Sequence, residues 1–198
     1  ETVESSHPVP DQNGVRGVGK MLALLDGLGY DAVVLALISG GGSALLPGPA
    51  KGIRLSDKQA VTDLLLAAGA DIREMNTVRK HISAVKGGQL ALRAHPARVI
   101  TLVLSDVVGD PLDAIASGPT VPDTSTFADA LAVLGKYGLE DRVPAPVRDR
   151  LAAGARGDIA ETPKPGDPVF AGTSCLLVGT NRQALDACRR AAQAAGWN

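Results

Sequence analysis

The hydrophobic positions along the chain alternate between helical spacing and short continuous runs. An apolar stripe with spacings of three and four predicts a helix ending at Gly29, and its members are Val15, Val18, Leu22, Leu25 and Leu28. The continuous apolar run at residues 32–38 is typical of a strand buried on both faces of a parallel sheet. Similar runs at 99–104 and 175–178 predict two more strands.

Cap spacing and apolar periodicity predict further helices between these strands. Ser56 with Gln59, and Asp71 with Glu74, have the spacing of capping boxes. Other helices are expected at residues 89–95, 126–137, 146–153 and 182–195, with a loop at 154–168. Alternating helices and strands indicate one Rossmann-like α/β domain over 1–198, a layered fold with a mostly parallel sheet flanked by helices. Ligands of such sheets bind beyond the carboxyl ends of the strands.

Composition excludes several classes of function. The 198 residues carry 20 Lys and Arg against 21 Asp and Glu, and aromatic residues make up 3%, so a nucleic-acid partner is not expected. Two cysteines are too few for a disulfide framework or a four-ligand zinc site. No apolar run is long enough to span a bilayer, and we expect a cytoplasmic protein with no membrane partner.

Two loops at predicted strand ends contain candidate chemistry. Residues 39–43, Ser-Gly-Gly-Gly-Ser, could place backbone amides against a phosphate, or could form only a tight turn. Asp106 and Asp110 follow the second strand and could hold Mg²⁺ or orient a hydroxyl, or could be turn-forming residues. These alternatives stay open on the residues alone.

A cluster of basic residues precedes the second strand. Arg79, Lys80, His81 and Lys86 could clamp a carboxylate or phosphate, although solvated charge at a helix end is the commoner explanation. His7 is interpreted as a structural or surface residue, because no His or Cys lies at metal-ligand spacing from it.

Three common motifs are excluded. The near-match to a phosphate-binding P-loop at residues 14–20 is followed by Met21 instead of Ser or Thr, and it lies inside a helical pattern. No Gly-x-Gly-x-x-Gly dinucleotide fingerprint follows a predicted strand, and no Gly-x-Ser-x-Gly elbow surrounds Ser43 or Ser117.

Longer strings are more specific than any of these motifs. They are residues 38–45 (ISGGGSAL), 57–59 (DKQ), 76–91 (NTVRKHISAVKGGQLA), 105–110 (SDVVGD) and 115–123 (IASGPTVPD), with HPVPD at 7–11 and VGTN at 178–181. Together they resemble the glycerate 2-kinase family, whose members carry a MOFRL domain. The resemblance covers nearly the whole chain in order. It departs from the family pattern at Val108, where the family has Pro, and at Pro111, where it has an acidic residue.

The resemblance implies ATP-dependent phosphorylation of D-glycerate to 2-phosphoglycerate with Mg²⁺, and a homodimer as a candidate assembly. It also implies two pieces outside this chain, an earlier Gly-Lys-Ala segment with an active-site lysine and a C-terminal MOFRL domain with an arginine. The implied nucleotide site comprises Gly40, Gly41, Gly42 and Ser43 at the phosphates, with Ser117, Gly118, Thr120 and Asn181 lining the cleft. The implied catalytic and substrate groups are Asp106 as hydroxyl-orienting residue or metal ligand, Asp110 as second ligand, and Arg79, Lys80 and Lys86 as neutralising cations.

Two other functions remain as alternatives. Members of this family have also been labelled hydroxypyruvate reductases, but the missing dinucleotide fingerprint argues against that activity. The second alternative is a catalytically inactive module that keeps only the phosphate-binding loop.

Overall fold

A computed structural model of the chain describes residues 1–197. Its elements, in chain order, are α1 (Gln12–Leu25), β1 (Val33–Ile38), α2 (Gly42–Leu45), α3 (Leu55–Ala67), α4 (Ile72–His81), α5 (Gln89–Ala94), β2 (Arg98–Ser105), α6 (Phe127–Lys136), α7 (Ala145–Ala155), β3 (Thr173–Thr180) and α8 (Asn181–Ala194). Short 3-10 helices occupy Ile115–Ser117 and Pro168–Phe170. No helix among the described residues combines the length and apolar character needed to cross a bilayer.

The three strands form one parallel sheet in the order β1-β2-β3. Val33 pairs with Arg98 and Ile38 with Val103, while Ser105 pairs with Thr180 across a register shift. The predicted α/β fold with a parallel sheet flanked by helices is therefore confirmed. All three carboxyl ends lie at the same edge of the sheet, because the strands run in the same direction.

One face of this sheet is packed and the other is open. Leu25 of α1 and Leu90 and Ala94 of α5 form a small core with Val99. On the opposite face Leu35 is 58% and Leu37 71% exposed. The expectation that β1 is buried on both faces is therefore wrong for residues 1–197, since its alternate side chains meet no covering element there.

The larger hydrophobic core lies between helices instead of on the sheet. Helices α3, α4, α6 and α7 contribute its fully buried side chains, which include Val61, Leu65, Val78, Phe127, Leu134, Val147 and Leu151. Burying about seven such side chains contributes on the order of 10–20 kcal/mol before the entropy of folding is counted. This helical cluster holds α4 rigidly, and α4 carries several of the predicted site residues.

Helix ends agree with the predictions where a side chain caps the first turn. Asp71 accepts hydrogen bonds from the amides of α4, as its spacing from Glu74 predicts. Thr126 likewise accepts from the Asp129 amide at the start of α6. The box predicted at Ser56 is wrong, because the carboxylate of Asp57 accepts from the Arg54 amide at 2.8 Å and starts α3 one residue before Ser56. Helix α1 ends at Leu25 instead of extending to Gly29.

The contact between α6 and α7 predicts opposite effects for two glycine-to-alanine substitutions. Gly154 of α7 faces the ring of Phe127, and a Cβ there would overlap ring atoms. Gly154→Ala is expected to lower the free energy of unfolding by about 1–3 kcal/mol in urea titrations, although alanine favours a helix by about 1 kcal/mol elsewhere.

The matched control is Gly135→Ala in α6. A Cβ at Gly135 would meet only the flexible end of the Glu140 side chain. This variant is expected to be neutral or more stable, by up to about 1 kcal/mol. Equal losses in both variants would contradict the packing described for Phe127.

Candidate functional site

A glycine-rich loop leaves the carboxyl end of β1. Residues 39–43 turn from the strand into the four-residue helix α2, and Gly41 has a φ of +78°, a left-handed conformation that favours glycine. The Gly42 amide donates to the Ser39 carbonyl at 3.3 Å and closes the turn. The sequence did not predict this short helix, which directs the side chain of Ser43 inward.

Asp106 lies directly against this loop. It follows β2 at the same sheet edge, and a Cβ at position 40 would overlap its carboxylate and displace it. The Asp106 side chain is exposed, and the Nδ2 atom of Asn181 donates to its carbonyl at 2.8 Å. Asn181 thereby holds the backbone of Asp106 from the end of β3, and the ends of all three strands meet at one place.

A strained segment faces the loop from the other side. Ala116 and Ser117 have φ values of +50° and +61°, which cost on the order of 1–3 kcal/mol each for residues with a side chain. This conformation directs the Ser117 hydroxyl to Ser43 Oγ at 3.0 Å and to Asn76 Oδ1 at 3.0 Å. Strained backbone of this kind concentrates at functional sites.

The next two residues of the predicted site have internal partners. The Gly118 carbonyl accepts from the Gly88 amide at 2.8 Å, at the start of α5. Thr120 is buried, and its hydroxyl accepts from Thr101 Oγ1 in β2 at 2.8 Å. The geometry thus gives Gly118 and Thr120 roles in holding the segment that presents Ser117, and their predicted contact with a nucleotide stays a prediction.

The side chain of Lys86 contacts the end of the glycine loop. Its ammonium group donates to the Ser43 carbonyl at 2.8 Å and to Ser43 Oγ at 3.1 Å. The residue is 2% exposed, and burial, with the nearby charges of Lys58 and Arg79, lowers the pKa of Lys86 well below its usual value. A group in this environment gains strongly from an anionic ligand.

Arg79 of α4 lies beside Lys86 and is half-buried. Desolvation lowers the pKa of its guanidinium, which stays protonated because its ordinary value is so high. Within residues 1–197, neither Arg79 nor Lys86 has a carboxylate at salt-bridge distance. The structure thus brings these two predicted cations together and leaves both without an internal counter-ion.

Lys80 has a different environment. Its ammonium group lies 3.2 Å from Asp123 and 3.5 Å from Asp113, and both Lys80 and Asp123 are buried. Burial raises the pKa of Asp123, but hydrogen bonds from Ser125 and the charge of Lys80 outweigh it and bring that pKa below the usual value. The geometry favours a structural role for Lys80, and the substrate contact predicted for it stays a prediction.

The carboxylates near the loop fit a metal that arrives with its own ligands. No group of three or more His, Cys, Asp or Glu side chains in the described part of the chain could hold a cation. Mg²⁺ in nucleotide sites is commonly bound by one or two carboxylates together with phosphate oxygens and water. Asp106 at the loop, with Asp110 in a left-handed turn at φ +52°, suits such a shared site.

Three residues next to the site had no functional role in the sequence interpretation. His7 lies against the loop, since a Cβ at Gly41 would come 3.1 Å from its ring. Asn76 and Lys58 contact the site from α4 and α3. Each lies within a string that carried the family resemblance, and that was the available signal.

The family assignment follows from the sequence of the domain itself. The family model described as a domain of unknown function, DUF4147, matches residues 1–152. The chain belongs to the DUF4147 family.

Relatives of this DUF4147 domain match it over its whole length. A glycerate 2-kinase of Pyrococcus horikoshii is 44% identical over 197 residues, and the match covers 100% of this chain and 44% of the relative. A protein of Agrobacterium vitis that carries a hydroxypyruvate reductase name is 50% identical over 196 residues, covering 99% and 42%. The chain therefore spans less than half the length of these relatives.

A solved structure agrees with the fold. The crystal structure of glycerate kinase from Thermotoga maritima superposes with a TM-score of 0.85 at 44% sequence identity, covering 98% of this chain and 44% of that one. The predicted resemblance to glycerate kinases is confirmed.

The buried pair of Lys80 and Asp123 predicts a loss of stability without a loss of anion binding. Lys80→Met leaves the Asp123 carboxylate buried without its counter-ion, and is expected to lower the free energy of unfolding by about 3 kcal/mol. The double variant Lys80→Met with Asp123→Asn is expected to recover part of this loss, as measured by thermal or urea unfolding. Wild-type stability combined with weakened anion binding in Lys80→Met would instead place Lys80 in the binding site.

Proposed function

We propose that this domain forms the catalytic core of an ATP-dependent glycerate 2-kinase that converts D-glycerate to 2-phosphoglycerate. One arrangement carries the proposal. An exposed carboxylate, Asp106, touches a glycine-rich loop whose far end is held by Lys86, a buried basic group with no carboxylate at salt-bridge distance among residues 1–197. Phosphoryl transfer needs these features side by side, since the protein contributes mainly positioning and charge stabilisation.

The cations supply the anion-binding half of the site. Arg79 can form paired hydrogen bonds with a carboxylate or phosphate, and Lys86 adds charge at Ser43. In the proposed reaction they neutralise the glycerate carboxylate or the transferring phosphoryl group. The hydroxyls of Ser43 and Ser117, 3.0 Å apart, extend the hydrogen-bond network around Lys86.

Asp106 supplies the acid–base half. We assign it to accept the hydrogen bond of the glycerate 2-hydroxyl and to receive its proton as attack proceeds. A bond forms between that hydroxyl oxygen and the γ-phosphorus, the bond from the γ-phosphorus to the bridging oxygen breaks, and ADP leaves. Asn181 keeps the Asp106 backbone in place at 2.8 Å, so the carboxylate stays oriented toward Gly40.

The glycine loop is assigned to the nucleotide phosphates. Gly40, Gly41, Gly42 and Ser43 would present backbone amides to phosphate oxygens without interference from side chains. A phosphate bound at this loop would lie next to the Asp106 carboxylate, and the two negative groups repel each other unless a cation lies between them. In the alternative role for Asp106, it would hold Mg²⁺ together with Asp110, and the ion would neutralise phosphate charge when bound.

The names of the relatives support the substrate assignment. Proteins 44% identical over the whole chain are named glycerate 2-kinase and D-glycerate 2-kinase. ATP as donor, Mg²⁺, a cytoplasmic location and a single domain over 1–198 belong to this proposal, and the homodimer stays a prediction.

The hydroxypyruvate reductase name of the Agrobacterium relative is the observation that favours a second function. A reductase needs a dinucleotide site, and residues 38–45 after β1 lack the Gly-x-Gly-x-x-Gly spacing. Oxidation of NADH by the full-length protein with hydroxypyruvate, in the absence of ATP, would establish this function in place of the kinase. Nucleotide binding with no turnover of glycerate would favour the inactive module.

The proposal predicts a large catalytic loss in Asp106→Asn. Phosphorus NMR of the full-length protein with Mg-ATP and D-glycerate is expected to show 2-phosphoglycerate. The variant is expected to form it at least about 100-fold more slowly, because it can neither accept the proton nor bind the cation well. A higher Mg²⁺ requirement in the variant would assign the metal-ligand role, and an unchanged requirement the proton-accepting role.

The matched control is Asp141→Asn, which removes a fully exposed carboxylate distant from the loop in sequence. It is expected to turn over at the wild-type rate. Wild-type activity in Asp106→Asn would remove Asp106 from the mechanism, and absence of any phosphoglycerate with the wild type would refute the kinase assignment.

A further inference from the structure

A third buried cation lies beside Arg79 and Lys86. Lys58 of α3 is 7% exposed, and its ammonium group donates to the Pro47 carbonyl. Within residues 1–197 it has no carboxylate at salt-bridge distance. Lys80 is also buried but has two aspartate neighbours. This fold therefore supplies counter-ions to a buried lysine that has a structural role.

Lys58 and Lys86 hold the same stretch of backbone from its inner side. Lys86 binds the Ser43 carbonyl at the start of α2, and Lys58 binds the Pro47 carbonyl four residues later. The next residue, Gly48, is hydrogen-bonded to the segment that carries Lys86, because Ser83 Oγ donates to the Gly48 carbonyl at 3.1 Å. Both ammonium groups are therefore held on the inner side of segment 43–47.

This arrangement is unfavourable in the free protein. Burial and the charge of Arg79 lower the pKa of Lys58 to about 7. Lys58 in turn contributes to the low pKa of Lys86. Three basic groups that share little solvent disfavour one another's charged forms, and an anion placed among them removes that penalty.

A purely structural role does not account for the charge. A neutral donor is sufficient to satisfy a buried carbonyl, as the Ser83 hydroxyl does for Gly48. Lysine at position 58 adds the desolvation of an ammonium group and repulsion from Arg79, and a neutral donor would avoid both costs.

We propose that Lys58 is the third cation of an oxyanion site bordered by Arg79 and Lys86, and that its charge sets the affinity of that site for a carboxylate or phosphate group. Lys58 acts through its charge, and its hydrogen bond to the Pro47 carbonyl also holds segment 43–47 in place. The identity of the anion rests on the proposed function, in which it is the glycerate carboxylate or a nucleotide phosphate. The existence of the site rests on the three cations alone.

The test separates charge from hydrogen bonding at position 58. Lys58→Met removes both, Lys58→Gln removes the charge but keeps a donor, and Lys58→Arg keeps the charge. Calorimetric titration of the full-length protein with inorganic phosphate is expected to show dissociation constants about ten-fold higher for the Met and Gln variants. The Arg variant is expected to stay within about three-fold of the wild type.

The control is Lys51→Met, because Lys51 is exposed on the segment that follows. It is expected to bind phosphate as the wild type does, which excludes a general effect of net charge. Wild-type phosphate binding in both Lys58→Gln and Lys58→Met would overturn the proposal. So would equal weakening in the Gln, Met and Arg variants, or no phosphate binding to the wild type.

Two further titrations identify the source of the anion. Weaker binding of D-glycerate alone in Lys58→Gln would assign the site to the acceptor carboxylate. Weaker binding of a non-hydrolysable Mg-ATP analogue alone would assign it to the donor phosphates. These titrations need no turnover. The proposal for Lys58 can therefore be refuted while the kinase assignment stands. Conversely, the kinase assignment can be refuted while phosphate binding still depends on Lys58.

Discussion

The parallel pairing of β1 with β2 is the constraint on which the candidate site depends. With Ile38 opposite Val103, β1 ends two residues before β2 does, and Gly40 comes to lie against the Asp106 carboxylate. A slip of one residue would separate them and would turn every side chain of β1 to the other face. The third strand adds Asn181, which holds the Asp106 backbone. The chemistry at this edge therefore follows from the strand register.

Counter-ions divide the buried cations into two kinds. Lys80 has aspartates beside it and belongs to the packing of α4. Arg79, one residue earlier, lies with Lys58 and Lys86 where the described residues supply no carboxylate. An ion pair inside the protein is satisfied before any ligand arrives, whereas an unmatched cation is satisfied only by a ligand. This difference links the electrostatics of the free protein to the binding of an anionic substrate.

The site also includes backbone strain. Ala116 and Ser117 hold left-handed conformations, and the carbonyls of Ser117 and Gly118 accept hydrogen bonds from the amides of Gly87 and Gly88. These bonds offset part of the cost and fix the Ser117 hydroxyl toward Ser43. The rigid helical core beneath α4 provides the support, because a strained segment persists only where its surroundings over-determine it.

Much of the fold could be predicted from the sequence, because strand runs, the capping box at Asp71, and the alternation of helices with strands are local patterns. The glycine loop, Asp106 and the basic residues were likewise visible as residue types at strand and helix ends. Only the tertiary structure decided that one face of β1 is open, that Lys80 is paired, and that Lys58 is buried against segment 43–47. Each of these three features depends on which distant residues become neighbours in the fold. Burial and charge pairing are set by those neighbours and not by the local sequence.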